Sequence, residues 1–182
     1  MSASPSGHDA ALPPLPPLPQ GRLGSFLPYQ LSVASNAVST LIAERYRKRF
    51  GLKIPEWRVM AVLGDSGASM GQGGAGTGGA MTQRDLTAAT LMDKVAVNRA
   101  VKVLAERGLL TRVPNPEDGR SHLLALTGEG QAIHAEVMPL AQATERELLD
   151  GLSAEEQRVL RRLLAGLRAR AGALATPHRE GG

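Results

Sequence analysis

The stretch from Thr82 to Leu126 leaves this chain few folds to choose from. Thr82 offers a hydroxyl to cap a short helix, and Asp85 stands three residues on to reciprocate. That helix runs to Ala89, and a tight turn covers Thr90–Met92. Asp93 then caps a longer helix to about Arg107, closed by Gly108. Leu109–Val113 and His122–Leu126 read as two strands, and the segment between them, Pro114-Asn115-Pro116-Glu117-Asp118-Gly119-Arg120, is dense in turn residues. Short helix, turn, longer helix and hairpin, in that order, make a helix-turn-helix followed by a wing.

The remainder is helical. Leu31, Val38, Leu41, Ile42 and Tyr46 recur at spacings of three and four, which predicts a helix over Tyr29–Phe50. Arg45, Arg47, Lys48 and Arg49 suit the negative end of its dipole, and Gly51 ends it. Pro55 opens a short second helix through Leu63. Eight of the seventeen residues from 64 to 80 are glycine, which predicts a flexible loop. Thr127 caps a helix to about Asp150, lined on one side by Ile133, Val137, Leu140, Thr144 and Leu148 and kinked by Pro139. Ser153 and Glu156 form a capping box for the last helix, whose Val159, Leu160, Leu163, Leu164 and Leu167 make an apolar stripe. Such a stripe needs cover, from the same protomer or from another chain. The expected class is mainly α with a small β-hairpin wing. Five segments follow: a Pro-rich N-terminal arm (1–24), an N-terminal helix (25–54), a winged helix-turn-helix domain (55–127), C-terminal helices (128–174) and a flexible tail (175–182).

Aromatic residues are 3% of the chain, so the core must be aliphatic, which suits helices better than a β-sandwich. With no cysteine, disulfides, thiol catalysis and Cys-type metal sites are excluded. Without a long apolar run or a signal sequence, the expected setting is the cytoplasm, with no membrane partner. No histidine pair has metal-ligand spacing, and no nucleophile–base constellation assembles; the expectation is therefore no enzyme, no metal and no cofactor. Gly71 to Gly76 matches GxGxxG literally, but it lacks the preceding strand and following helix that dinucleotide binding needs. Glu155 and Glu156 are explained by the helix dipole.

Charge points to a polyanion. Net charge is +4, and the segment Lys94–Arg120 holds +3 of it: Lys94, Arg99, Lys102, Arg107, Arg112 and Arg120 against Glu106, Glu117 and Asp118. The major groove of duplex DNA admits one α-helix, and the first turns of that helix must reach base edges or phosphates. Here those turns carry Lys94, Val95, Ala96, Asn98 and Arg99, with Lys102 one turn on. Arginine can bond guanine bidentately, asparagine can do so with adenine, and a small Ala96 permits close approach. Val95 is open to either an outward or an inward orientation, whereas Val97, Val101 and Leu104 should pack inward. Lys102 and Arg107 are expected to meet phosphate or solvent. His122 opens the returning strand, where phosphate or solvent contact is expected. The competing reading is a winged-helix module that binds another protein.

The segment Met81–Gly130, with ERGLL, the DGR of the hairpin tip and LTGEG, resembles the MarR family of winged-helix transcriptional regulators. Trp57-Arg58-Val59-Met60 and the basic helix end resemble the family's first two helices, so the likeness spans about residues 26–170. The resemblance implies a homodimer whose N- and C-terminal helices interlock, bound to double-stranded DNA over a pseudo-palindromic operator. It implies a ligand-responsive repressor, with a small-molecule effector whose site no residue here identifies. The site residues it implies are Lys94, Val95, Ala96, Asn98, Arg99 and Lys102 on the recognition helix, and Thr82, Gln83 and Arg84 on the supporting helix. On the wing they are Arg112, Asp118, Arg120 and His122. Arg120 would lie in or beside the minor groove, oriented by Asp118. Departures from the family pattern are the long glycine-rich segment, the Pro-rich arm, and Asn98, where many relatives carry Ser or Thr.

Overall fold

A computed structural model of the chain describes residues 21–69 and 79–175. The Pro-rich arm up to residue 20, the centre of the glycine-rich segment (with its GxGxxG) and the tail from residue 176 lie outside the described residues. Among those described, six helices and three strands follow one another: α1 (Leu27–Phe50), α2 (Ile54–Ser69), β1 (Met81–Thr82), α3 (Gln83–Thr90), α4 (Lys94–Glu106), β2 (Leu110–Pro114), β3 (His122–Leu126), α5 (Gly128–Leu149) and α6 (Ala154–Ala175). They fall into two compact units, residues 21–144 and residues 145–175.

Local chemistry sets most boundaries as expected. Gly51 ends α1 in the left-handed region (φ +62°) and donates its N–H to the Arg47 carbonyl. Thr82 caps α3 by accepting from Asp85 N–H, and Asp93 caps α4 by accepting from Ala96 N–H at 2.8 Å. The Ser153–Glu156 box closes at both ends: Ser153 N–H donates to Glu156 Oε2 (2.8 Å), and Glu156 N–H donates to Ser153 Oγ. Hydrogen bonds from Ser153 hold the Glu156 carboxyl below its usual pKa. The turn between α3 and α4 places Leu91, a non-glycine residue, at φ +52° with its side chain exposed.

One core holds the 21–144 unit together. Val97, Ala100, Val101 and Leu104 of α4 are buried, as their spacing predicts, with Leu86 of α3 and Val59, Met60 and Leu63 of α2. Leu109, Leu110, Leu124 and Leu126 of the wing base join them, as do Val137 of α5 and Ala43 and Tyr46 of α1. Tyr46 packs on Trp57 with ring centroids 5.6 Å apart, and burial pushes its hydroxyl up to a pKa of about 12.

Three expectations change, and a fourth gains a partner that spacing could not show. The second helix does not stop at Leu63 but runs to Ser69, so Gly64 is helical rather than the start of a loop. Its hydrogen lies against the imidazole of His134, where a Cβ would come within 2.5 Å of Nε2; the glycine serves close packing of α5 on α2. The hairpin gains a third strand: Met81 and Thr82 pair antiparallel with Leu124 and Leu123, giving the order β1-β3-β2. A two-residue strand has no periodicity to show, so only its partner reveals it. Arg107 is exposed to solvent as expected, but it is also engaged at home: it donates to the carbonyls of Phe50 (2.7 Å) and Gly51 (3.3 Å) and lies 3.9 Å from the buried Glu56 carboxylate. Finally, Leu140 is partly exposed, although it falls on the inward side of α5 by spacing, while Val137 and Thr144 are buried. No residue of α6 is buried, and Leu160, Leu163, Leu164 and Leu167 are all exposed.

Candidate nucleic-acid interface

Three elements converge on one concave face. β2 and β3 pair in register, with Arg112 opposite Leu124 and Pro114 opposite His122. Opposed residues share a face of a sheet. The row that buries Leu124 and Leu126 therefore continues outward as Arg112 and His122, past the edge of the core. There it meets the start of α3 and the start of α4. The resulting groove has a volume of about 890 Å³ and is lined by Thr82, Gln83, Arg84, Asp85, Thr87, Lys94, Asn98, Arg112, Asn115, Asp118, Arg120, Ser121 and His122.

Nine of the thirteen residues singled out from the sequence line this groove. The other four lie on α4: Val95, Arg99 and Lys102 are exposed, and Ala96 is half-buried. The orientation of Val95 is thereby settled as outward, with 56% of its surface exposed.

The wing tip is rigidly bonded. Asn115 N–H donates to the Ser121 carbonyl (3.1 Å), Asn115 Nδ2 donates to Ser121 Oγ (3.0 Å), and Ser121 N–H donates to the Asp118 carbonyl (2.9 Å). Asp118 Oδ1 accepts from the Arg120 N–H at 3.1 Å. Asp118 thus orients Arg120 through the backbone, which leaves the guanidinium projecting. Sequence reasoning misses Asn115 and Ser121, although an Asn at the start of a Pro-Glu-Asp-Gly turn is the residue type that bonds its own backbone. It also misses that Gln83 Nε2 donates to Asn98 Oδ1, a bond that ties the first turn of α3 to α4.

Cations outnumber acids in this groove: Arg84, Lys94, Arg112 and Arg120 against Asp85 and Asp118. Among the described residues, none of Arg84, Lys94, Arg99, Arg112 and Arg120 has a carboxylate within ion-pair distance. Of the other cations, some are paired (Arg49 with Glu136, Arg158 with Glu155, Arg161 with Glu145), and others, Arg47, Lys48 and Lys53 among them, have no carboxylate within ion-pair distance among the described residues. Lys102, at the rim, shares an i,i+4 contact with Glu106 at 3.8 Å. Asp85 and Asp118, the acids that line the groove, are committed to the Thr82 hydroxyl and the Arg120 N–H respectively. Among the described residues no group of three or more His, Asp or Glu side chains is placed to hold a metal, and no helix is long and apolar enough to cross a membrane.

A profile of the MarR family matches residues 50–121, which include α2, the helix-turn-helix and most of the wing. The solved structure of a MarR family transcriptional regulator from Silicibacter pomeroyi DSS-3 is 30% identical, covers 81% of this chain and 98% of its own, and superposes with a TM-score of 0.63. This chain belongs to the MarR family. A probable transcriptional regulator from Pseudomonas aeruginosa is also 30% identical, with a TM-score of 0.66 over 80% of this chain and 99% of its own. YdgJ of Bacillus subtilis (strain 168), an uncharacterized HTH-type transcriptional regulator, is 34% identical over 88 residues, 48% of this chain and 54% of its own length. The chain thus spans just over half the length of that curated relative. MarR proteins are transcriptional regulators rather than enzymes, and their winged-helix fold is the one found here.

Proposed function

We propose that this MarR protein is a sequence-specific, double-stranded-DNA-binding regulator of transcription. Its α4 would enter the major groove and its wing the adjacent minor groove. One observation carries the reading: four cations with no carboxylate in ion-pair distance among the described residues, Arg84, Lys94, Arg112 and Arg120, line one groove built from α3, α4 and the wing, and Arg99 is exposed on the same helix as Lys94. Unpaired cations on one rigid face repel each other in the free protein, and that cost is relieved when each neutralises a phosphate and releases its condensed counter-ion. On this reading Arg99 and Asn98 read bases, Val95 and Ala96 approach them, Lys94, Lys102, Arg84 and Arg112 hold phosphates with Thr82 and His122, and Gln83 of the supporting helix backs Asn98. Arg120 enters or flanks the minor groove. The protein would work in the cytoplasm.

The same reading makes the protein a homodimer on a pseudo-palindromic operator. The apolar stripe of α6 supports it, as do Leu27, Leu31, Val33 and Val38, all exposed on the first half of α1. Large apolar side chains repeated along a helix at this exposure need cover, and on this reading a second chain supplies it. Residues 25–54 and 128–174 are therefore proposed as the dimerisation helices around the 55–127 winged-helix domain. We further propose a ligand-responsive repressor, since Bordetella bronchiseptica BpsR, of the same fold, has its DNA binding regulated by 6-hydroxynicotinic acid. An effector that changes the spacing of two recognition helices weakens binding to half-sites one helical turn apart.

The test selects bound fragments from genomic DNA and then measures affinity at fixed salt. Arg99→Ala and Arg120→Ala are each expected to weaken binding to the selected site by about 1–3 kcal/mol. Sedimentation should give a dimer. Wild-type affinity in both variants, or a monomer at working concentration, rejects the reading.

A further inference from the structure

Asn98 is the fifth residue of α4, exposed on the groove face, and on its own its amide would turn freely between two equivalent orientations. It is not on its own. Gln83 Nε2 donates to Asn98 Oδ1 across the helix-turn-helix. Gln83 is the first residue of α3 and is itself held: its carbonyl accepts from the Thr87 hydroxyl at 2.8 Å, Thr82 caps the turn, and Leu86 anchors it in the core. Asn98 sits between the buried Val97 and Val101 on the opposing helix. Both ends of the bond are thus fixed to rigid backbone.

We propose, resting on the DNA-binding reading above, that Gln83 is a positioning residue that fixes the Asn98 amide to read adenine. With Oδ1 drawn toward Gln83, the two Nδ2 hydrogens have one defined direction, and Oδ1 keeps a second lone pair. Adenine presents N7 as acceptor and N6–H as donor along one edge of the major groove. An amide held in one orientation matches that edge; a freely turning one meets other bases nearly as well. Thus a residue of the supporting helix sets which base the recognition helix selects, while needing no contact with that base.

The experiment determines the selected site, then measures competition binding to it and to all its single-base-pair variants at fixed salt. Asn98→Ala is expected to lose about 5- to 150-fold of discrimination at one A·T pair, the range for a bidentate contact. Gln83→Met keeps the length and removes the donor; it should lose several-fold at that same pair only. The double variant should match Asn98→Ala within about twofold, because the two residues act through one contact. Gln83→Glu, which can only accept, should draw Nδ2 inward, turn the amide round and move the preference at that pair away from adenine. A general structural defect would instead lower affinity for every site without changing the ranking. Specific binding by the wild type with an unaltered preference in Gln83→Met overturns the pairing alone. Equal effects spread over many base pairs, or additive losses in the double variant, overturn it as well. Absence of any site-selective binding by the wild type overturns the DNA-binding reading and this proposal together.

Discussion

Arg107→Met removes a guanidinium that charge counting alone would assign to DNA. Its position says otherwise. Arg107 follows Lys94 by thirteen positions, which at 1.5 Å per residue sets their backbones about 20 Å apart along the axis, at opposite ends of α4. Arg107 donates to Phe50 and Gly51, where α1 ends and its carbonyls lack helical partners, and it stands over Glu56, whose side chain is 6% exposed. The 2.7 Å bond to Phe50 from a charged donor is worth about 1.5 kcal/mol. The longer bond to Gly51 and the 3.9 Å ion pair each contribute under about 1 kcal/mol, because a third of the arginine side chain is in water. Methionine keeps much of the stem packing. The expected loss is therefore about 2–3 kcal/mol, seen as a lower urea midpoint at unchanged slope. DNA affinity of the folded variant, and its dependence on salt, should stay at wild-type values. If Arg107 held a phosphate, the salt slope would instead drop by about 0.9. A reduced slope with undiminished stability would falsify this assignment.

Two further perturbations test the packing. Gly128 and Gly130 both belong to the LTGEG run, yet a Cβ on Gly130 would lie 2.1 Å from the Leu109 carbonyl oxygen, while nothing lies within 4 Å of one on Gly128. Gly130→Ala should cost about 1–3 kcal/mol through overpacking and the weakened Thr127 N–H bond to that same oxygen, even after the helix-propensity gain; Gly128→Ala should be neutral or slightly stabilising, and equal midpoints for the two in urea titration would refute the distinction. His134 stacks on Trp57 at 5.7 Å with Nε2 buried and without a hydrogen-bond partner among the described residues, and burial lowers its pKa below 6.5 despite the opposing pull of Asp65. The unfolded chain then binds the proton more readily, so this contribution is fully present above pH 6.5 and is lost as pH falls toward the depressed folded value, at up to about 1.4 kcal/mol per pH unit. Stability measured for wild type and His134→Phe from pH 7.5 to 5 should diverge on acidification, and parallel curves would dispose of the idea.

What is legible in the sequence, and what is not, divides along the range of the interactions. Thr82, Asp93, Ser153 and Glu156 can be assigned from the residues alone, because a cap bonds a partner three residues away and the whole interaction lies within one short window. The left-handed glycines Gly51 and Gly108 are legible for the same reason. Arg107 and its carbonyl partners stand more than 50 residues apart, Gln83 and Asn98 stand 15 apart, and the contact that explains Gly64 lies on α5. In each of these cases composition supplies a type of residue, a cation, an amide or a glycine, and the fold alone supplies its use. The site shows the same division in miniature. Nine of the thirteen expected residues line the groove, since the order of helix, turn, helix and hairpin already implies which ends meet. Asn115, Ser121 and the grip of Gln83 on Asn98 escape the sequence pattern, because each acts through a bond to a side chain several to many residues away. On the proposed reading, selectivity here has two parts with different visibility: the side chain that reads a base is exposed in the sequence pattern, while the side chain that aims it appears only when the two helices are brought together.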